Sequence, residues 1–255
     1  MFDLHCHILP GVDDGAKTME DSIEMARLAV SEGITHILVT PHHMNRNWIN
    51  EKQSVLSLMN DVQKELDEKE INLTLFPGQE IRIYGELIED IEKDKILFID
   101  EGEQYLLIEF PTPSIPSFSE RLFYELQAIG KTPIIVHPER NRVFQEDPNK
   151  LKAFVEKGAL AQLTAVSYTG GLGKKIKKLS KQMIEANLVH FIASDAHNTS
   201  SRAFHMKEAY DLLAKEYGRG KRNEFHQVTK DLLNGEVVIP PSANSISTKR
   251  FFGLF

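Results

Sequence analysis

Short apolar runs alternate along this chain with longer segments in which apolar residues recur every three or four positions. The strand candidates are FDLHCH, THILVTPHH, LTLFPGQEI, YLLIEFP, TPIIVHPER, ALAQLTAV and VHFIASDAH, seven in all. Helical spacing marks about 18–32, 50–69, 84–94, 118–129, 148–157, 173–187, 201–217 and 221–234. Strand and helix patterns in alternation predict βα units around a parallel sheet. The first helix is the best delimited: Thr18 and Asp21 have capping-box spacing, Ile23, Ala26 and Val30 share a face, and Gly33 follows the end. There is no repeat longer than the βα unit and no linker. One domain over 1–255 is expected, with about 241–255 as a C-terminal tail outside the barrel pattern.

Ionisable residues fall at one place in this pattern, the C-terminal edge of the apolar runs. These are His5 and His7, His42, Glu80, Glu109, His137, Asp195 and His197. In a closed parallel barrel those edges share one face, so residues remote in sequence converge on one pocket. A lone strand-end histidine is more often satisfied by a core hydrogen bond. Eight such groups, on six of the seven runs, point instead to a metal site, because buried charge at this density is costly without cations to pair it. Residues two apart on a strand point the same way, about 6.6 Å apart at Cα. His5 and His7 can therefore close on one ion, as can Asp195 and His197.

The only cysteine, Cys6, lies between His5 and His7 and faces the helices. A cysteine phosphatase carries an arginine after five residues that follow its His-Cys pair, within a phosphate-cradling loop; that position here is Val12. Cys6 is read as a small buried hydrophobe. His36, His190, His205 and His226 are expected to be structural or surface residues, and His43 to point away from His42.

Composition narrows the picture further. A net charge of −7 argues against a nucleic-acid partner. One cysteine cannot form an intrachain disulfide, and no apolar run reaches the roughly 18 residues of a membrane span. No signal-peptide pattern opens the chain, so the cytoplasm is the expected compartment. Lys174, Lys175, Lys177, Lys178 and Lys181 crowd one helix beside Ile176, Leu179, Met183 and Ile184. That face is either a solvated one or a peripheral contact for an anionic surface. Trp48, the only tryptophan, lies just beyond His42.

DLHCHILPGVDDG, TPHH, HPER and SDAHN together resemble the polymerase and histidinol phosphatase (PHP) family, across essentially the whole chain. Within it they look most like the bacterial PHP-type protein-tyrosine phosphatases of capsule and exopolysaccharide operons, the CpsB/YwqE-like group. The resemblance implies an α/β fold, a distorted seven-stranded (β/α)7 barrel with its site at the C-terminal face of the strands. It also implies three metal positions. His5, His7, Glu80 and Asp195 would hold one ion; Glu80, Glu109 and His137 a second; Asp14, His42 and His197 the third. The choice of Asp14 over Asp13 comes from the resemblance alone. Three divalent ions bring roughly +6 against about −4 from Asp14, Glu80, Glu109 and Asp195, which leaves a pocket suited to a phosphate dianion. Nitrogen and oxygen ligands fit Mn, Fe or Zn; similar phosphatases are manganese-activated, so Mn²⁺ is the first choice.

The expected reaction is hydrolysis of a phosphomonoester by a metal-held hydroxide, with Arg140 and Arg202 on the phosphoryl oxygens. The resemblance makes the substrate phosphotyrosine on a bacterial tyrosine kinase. The alternatives are a small-molecule phosphatase such as one for histidinol phosphate, a non-catalytic metal-binding regulatory module, and a C–N amidohydrolase.

Overall fold

The computed structural model describes residues 1–247; the FFGLF segment at 251–255 lies outside the described residues. Among the described residues nine strands alternate with helices: β1 Phe2–Cys6, α1 Met19–Ser31, β2 His36–Val39, β3 His42–His43, α2 Lys52–Glu68, β4 Thr74–Pro77, β5 Glu80–Arg82, α3 Leu87–Glu92, β6 Tyr105–Glu109 and α4 Ser119–Ala128. Then come β7 Thr132–Val136, α5 Arg142–Glu146, α6 Asn149–Glu156, β8 Leu160–Thr164, α7 Ala165–Thr169, α8 Lys174–Glu185, β9 Phe191–Ala193 and α9 Met206–Leu233.

Every strand pairing is parallel. One sheet runs β1-β2-β4 and the other β3-β5-β6-β7-β8-β9. They meet at a seam where the Asp195 amide donates to the His5 carbonyl and the His7 amide to the Ala196 carbonyl, each at 2.8 Å. The result is a mixed α/β fold, a distorted, barrel-like ring of parallel strands.

The strand count differs from the seven expected because two long runs are each divided. THILVTPHH becomes β2 and β3, broken at Pro41, which has no amide to give a ladder. LTLFPGQEI becomes β4 and β5, broken at Gly78 just past Pro77. A Cβ at Gly78 would stand 2.8 Å from the Leu38 side chain, so this close passage requires glycine. Each run gives its first half to one sheet and its second half to the other.

The helices follow the pattern closely. Thr18 accepts the Asp21 amide at 3.2 Å while the Asp21 carboxylate accepts the Thr18 amide at 3.0 Å, closing the expected capping box. The 28-residue α9 breaks at Gly218, φ +87°, between the two segments the periodicity separates. The short α5 and α7 have too few turns to give a periodic signal.

Two apolar layers fix the ring. The larger lies between strands and helices and includes Cys6, Met25, Ile108, Ile135 and Leu163. The smaller fills the barrel interior with Leu4, Leu38, Tyr105, Leu107, Ile134, Val136 and Phe191. Strand β6 shows how the layers position the site. Tyr105 and Leu107 face the apolar interior, and Glu109, two residues on, meets the rim on the same face. After α9 the chain stays docked as far as described: Ile246 exchanges two hydrogen bonds with the Asn149 side chain, at 3.0 and 3.1 Å. Among the described residues no helix is long and apolar enough to cross a membrane.

Candidate metal centre

At the C-terminal edge of the ring, four donor atoms from three separate strand ends form a cage. His5 Nε2 and His7 Nε2 are 3.2 Å apart. His5 Nε2 lies 3.4 Å from Asp195 Oδ1 and 3.5 Å from Glu80 Oε2; His7 Nε2 lies 3.2 and 3.3 Å from the same two oxygens. Donors about 2.1 Å from one tetrahedral cation stand roughly 3.4 Å apart. All four residues are buried. The spacing fits an ion at their centre.

The imidazoles are turned toward that centre by partners on their far sides. His7 Nδ1–H donates to Asp13 Oδ2 at 2.8 Å, His5 Nδ1–H to Gln162 Oε1 at 3.2 Å, and His197 Nδ1–H to the Asp195 carbonyl at 2.9 Å. Each bond places the ring proton on Nδ1 and aims the Nε2 lone pair inward, the arrangement typical of metal-binding histidine. Asp13 also accepts the Gly15 amide at 2.8 Å and the His42 amide at 3.1 Å, which ties its own loop to β3. Asp195 and His137 both hold left-handed backbone, φ +53° and +35°, a conformation that costs a non-glycine residue energy and recurs at functional sites.

A second group gathers around Asp14. Its Oδ1 lies 3.2 Å from His197 Nε2 and 3.3 Å from His42 Nε2, and His7, Asp14, His42 and His197 all offer donors within one small volume. Asp13 faces the outer nitrogen of His7, so the two neighbouring aspartates of GVDDG have divided positions. The third group is His42, Glu80 and Glu109. His42 Nδ1 is 2.7 Å from Glu80 Oε2 and 3.9 Å from Glu109 Oε2. His137 donates through Nε2 to the other Glu80 oxygen, at 2.6 Å. Glu80 thus joins the first group to the third, and His42 joins the third to the group around Asp14.

Three guanidiniums rim the cage. Arg140 pairs with Asp195, Arg202 with Asp14 at 2.8 Å and Arg82 with Glu109 at 2.8 Å. Burial alone favours the neutral acid in Asp195 and Glu80. Arg140 and His5 outweigh it at Asp195, as do His42 and His5 at Glu80, and both stay well below the usual carboxylate range. At Glu109 burial, joined by the charge of Glu80, wins and pushes the carboxyl up to about 8. Burial and the Arg140 charge hold His137 down at about 4, and burial and His7 hold His197 down at about 4. Glu80 Oε2, Glu109 Oε2, His42 Nδ1 and His197 Nε2 are buried without any correctly oriented hydrogen-bond partner. Such unpartnered lone pairs, on imidazole nitrogen and carboxylate oxygen, are what a bound divalent cation satisfies.

The sequence reading brought His5, His7, Asp14, His42, Glu80, Glu109, His137, Asp195 and His197 to one end of the barrel, and the structure places them there together. It did not single out Asp13, Gln162 or Arg82. Gln162 had a signal, as the one amide within the apolar run ALAQLTAV; Arg82 had one too, lying two residues past Glu80 on the same strand face. Cys6 is fully buried in the helix-facing layer. His43 is also buried and turns away from the cage toward Tyr84. On α8, Lys177 donates to the Thr169 carbonyl and Lys181 pairs with Glu216.

Comparison with known proteins agrees with this architecture. The chain is 44% identical over its whole length to the tyrosine-protein phosphatase YwqE of Bacillus subtilis, which it covers completely. It is 40% identical over full length to the putative tyrosine-protein phosphatase CapC of Staphylococcus aureus. A crystal structure from work on YwqE and on CpsB of Streptococcus pneumoniae, described as unique metal-dependent tyrosine phosphatases, superposes with a TM-score of 0.94 over 97% of this chain and 100% of the other. The organophosphorus hydrolase of Deinococcus radiodurans shares the fold alone, at 10% identity and a TM-score of 0.58 over 91% of this chain. The family model for capsular polysaccharide synthesis, CpsB/CapC, matches residues 1–234. This chain belongs to the CpsB/CapC family.

Proposed function

We propose that the chain is a metal-dependent protein-tyrosine phosphatase that hydrolyses phosphotyrosine on a bacterial tyrosine kinase controlling capsule or exopolysaccharide synthesis, working in the cytoplasm. The observation that carries this reading is the buried cage of His5, His7, Glu80 and Asp195 with arginines at its rim, in a chain 44% identical to a tyrosine-protein phosphatase. Residues 1–255 act as one domain. Counting β2 with β3 and β4 with β5 as single staves gives the ring the seven staves of a (β/α)7 barrel.

The residues suit three ions, Mn²⁺ first among the candidates. His5, His7, Glu80 and Asp195 would hold one, Glu80, Glu109 and His137 a second, and Asp14, His42 and His197 the third, with His42 also within reach of Glu80 and Glu109. When bound, such cations lower the pKa of water from 15.7 toward about 7 and polarise phosphoryl oxygens. The chain's own residues do the rest. Asp13 and Gln162 keep His7 and His5 oriented. Arg140 and Arg202 present forks of donors to the phosphoryl oxygens, a geometry matched to phosphate. A tyrosyl leaving group has a pKa of about 10 and departs as phenolate without a dedicated acid. The indole of Trp48 lies nearly parallel to His42, centroids 5.5 Å apart, and offers a flat wall for an aryl group.

The deciding experiment compares a phosphotyrosyl peptide, a phosphoseryl peptide and histidinol phosphate as substrates of manganese-loaded enzyme. The reading expects a clear preference in kcat/KM for the phosphotyrosyl peptide, loss of turnover on chelation, recovery on adding Mn²⁺, and no recovery in D195N. Preferred hydrolysis of histidinol phosphate would overturn the substrate assignment, and full activity in chelator would overturn the metal dependence.

A further inference from the structure

Arginines pair with the carboxylates at the rim of the cage: Arg140 with Asp195, Arg202 with Asp14 and, at 3.6 Å, with Asp195 as well, and Arg82 with Glu109. Arg140 closes the HPER motif and Arg202 lies just past SDAHNTS, and both are assigned to phosphate above. We propose that Arg82 is a third phosphate-binding arginine of the same site. The inference rests on the phosphatase reading and extends it to a residue outside the motifs.

Strand geometry supports the assignment. Arg82 is directly opposite Glu109 in the parallel pairing of β5 and β6, and it lies two residues beyond Glu80, so both side chains project from one face. Its Nη2 contacts Glu109 Oε2, which lies 3.9 Å from His42 Nδ1, itself 2.7 Å from Glu80 Oε2. The guanidinium therefore reaches the His42, Glu80 and Glu109 group through Glu109. It remains reachable: the Arg82 side chain is 23% exposed, against 33% for Arg140 and 37% for Arg202.

Simple neutralisation of Glu109 accounts for less of this. Among the described residues Glu109 is the only carboxylate paired with Arg82, and Glu109 belongs to a group that fits a cation. With that carboxylate committed to a cation, a neutralising arginine would be left charged and unpaired beside a positive centre, which is unfavourable unless an anion arrives. A phosphoryl group brings that anion, and three arginines at the rim match its three non-bridging oxygens in number.

The test uses full-length, manganese-loaded protein with inorganic phosphate as the probe. Binding is read by isothermal titration and by competitive inhibition of p-nitrophenyl phosphate hydrolysis, and metal content by elemental analysis. R140Q serves as the positive control. R82Q is expected to keep its metal content while its dissociation constant for phosphate rises about tenfold or more, as for loss of a hydrogen bond to a charged group. R82K keeps the charge and loses the fork; it is expected to show a smaller rise with full metal content, and it replaces R82Q should that variant fold poorly. Wild-type phosphate affinity in both R82Q and R82K overturns the proposal, whether or not metal is lost. In that case a weakened R140Q would leave the phosphatase reading standing. Failure of the wild-type protein itself to bind phosphate would instead remove the reading on which the proposal rests.

Discussion

Asp13 Oδ2 lies 2.8 Å from Nδ1 of His7, on the side of the imidazole facing away from the cage. A carboxylate can only accept there, so this contact fixes the proton on Nδ1 and frees Nε2 for a cation. Loss of such an outer partner typically weakens metal affinity by about 10- to 100-fold. D13A is therefore expected to need more Mn²⁺ for half-maximal activity by about that factor, while recovering much of its turnover at saturation. A manganese titration of activity, with circular dichroism to verify folding, checks this. An unchanged titration curve would assign Asp13 to loop structure alone.

Metal uptake should release protons and strengthen as pH rises. Burial opposes charge on His42, but Glu80 and Asp14 outweigh it and raise its pKa to about 9; Glu109 is pushed up to about 8. Both groups carry protons at pH 7 in chelator-stripped protein and must lose them to serve as ligands. Apparent manganese affinity is expected to increase steadily between pH 6 and 9, with proton release measurable by titration in buffers of different ionisation enthalpy. A flat profile across that range would contradict the arrangement.

Away from the site, His190 predicts an acid sensitivity. It is buried, its Nδ1 accepts the Ala161 amide at 2.9 Å, and burial together with the Lys221 charge holds its pKa at about 4. The unfolded chain takes up that proton near pH 6.5 and the native state does not. The contribution to stability is thus present above pH 6.5 and is lost as pH falls toward 4, by roughly 3 kcal/mol in all. Urea midpoints of chelator-stripped wild type and H190Q, measured across this range, should diverge, with the variant losing less. Parallel curves would show that His190 does not titrate in this way.

The distribution of polar residues along the apolar runs explains how much of this was legible in sequence. His5, Glu80, Glu109 and Asp195 are charged or titratable groups at the ends of strands, where a parallel ring must bring them together, and the structure does so. Asp13 and Asp14 were not separable, because adjacent loop residues follow no strand alternation; the loop's hydrogen bonds to Gly15 and His42 decide which side each faces. Gln162 looks neutral in a one-dimensional reading and becomes informative only when its Oε1 is seen between His5 and the His137 amide. The breaks at Pro41 and Gly78 carried ordinary turn residues inside strong apolar patterns, and the pattern masked them. Arg82 is defined by a cross-strand register that no single segment contains.

The measurement closest to the central claim is anomalous scattering at the manganese absorption edge from crystals grown with Mn²⁺. A peak centred among His5 Nε2, His7 Nε2, Glu80 Oε2 and Asp195 Oδ1, with neighbouring peaks toward Glu109 with His137 and toward Asp14 with His197, is the expected result. A map without a peak inside that cage, from crystals of protein that still hydrolyses phosphotyrosine, would contradict the account.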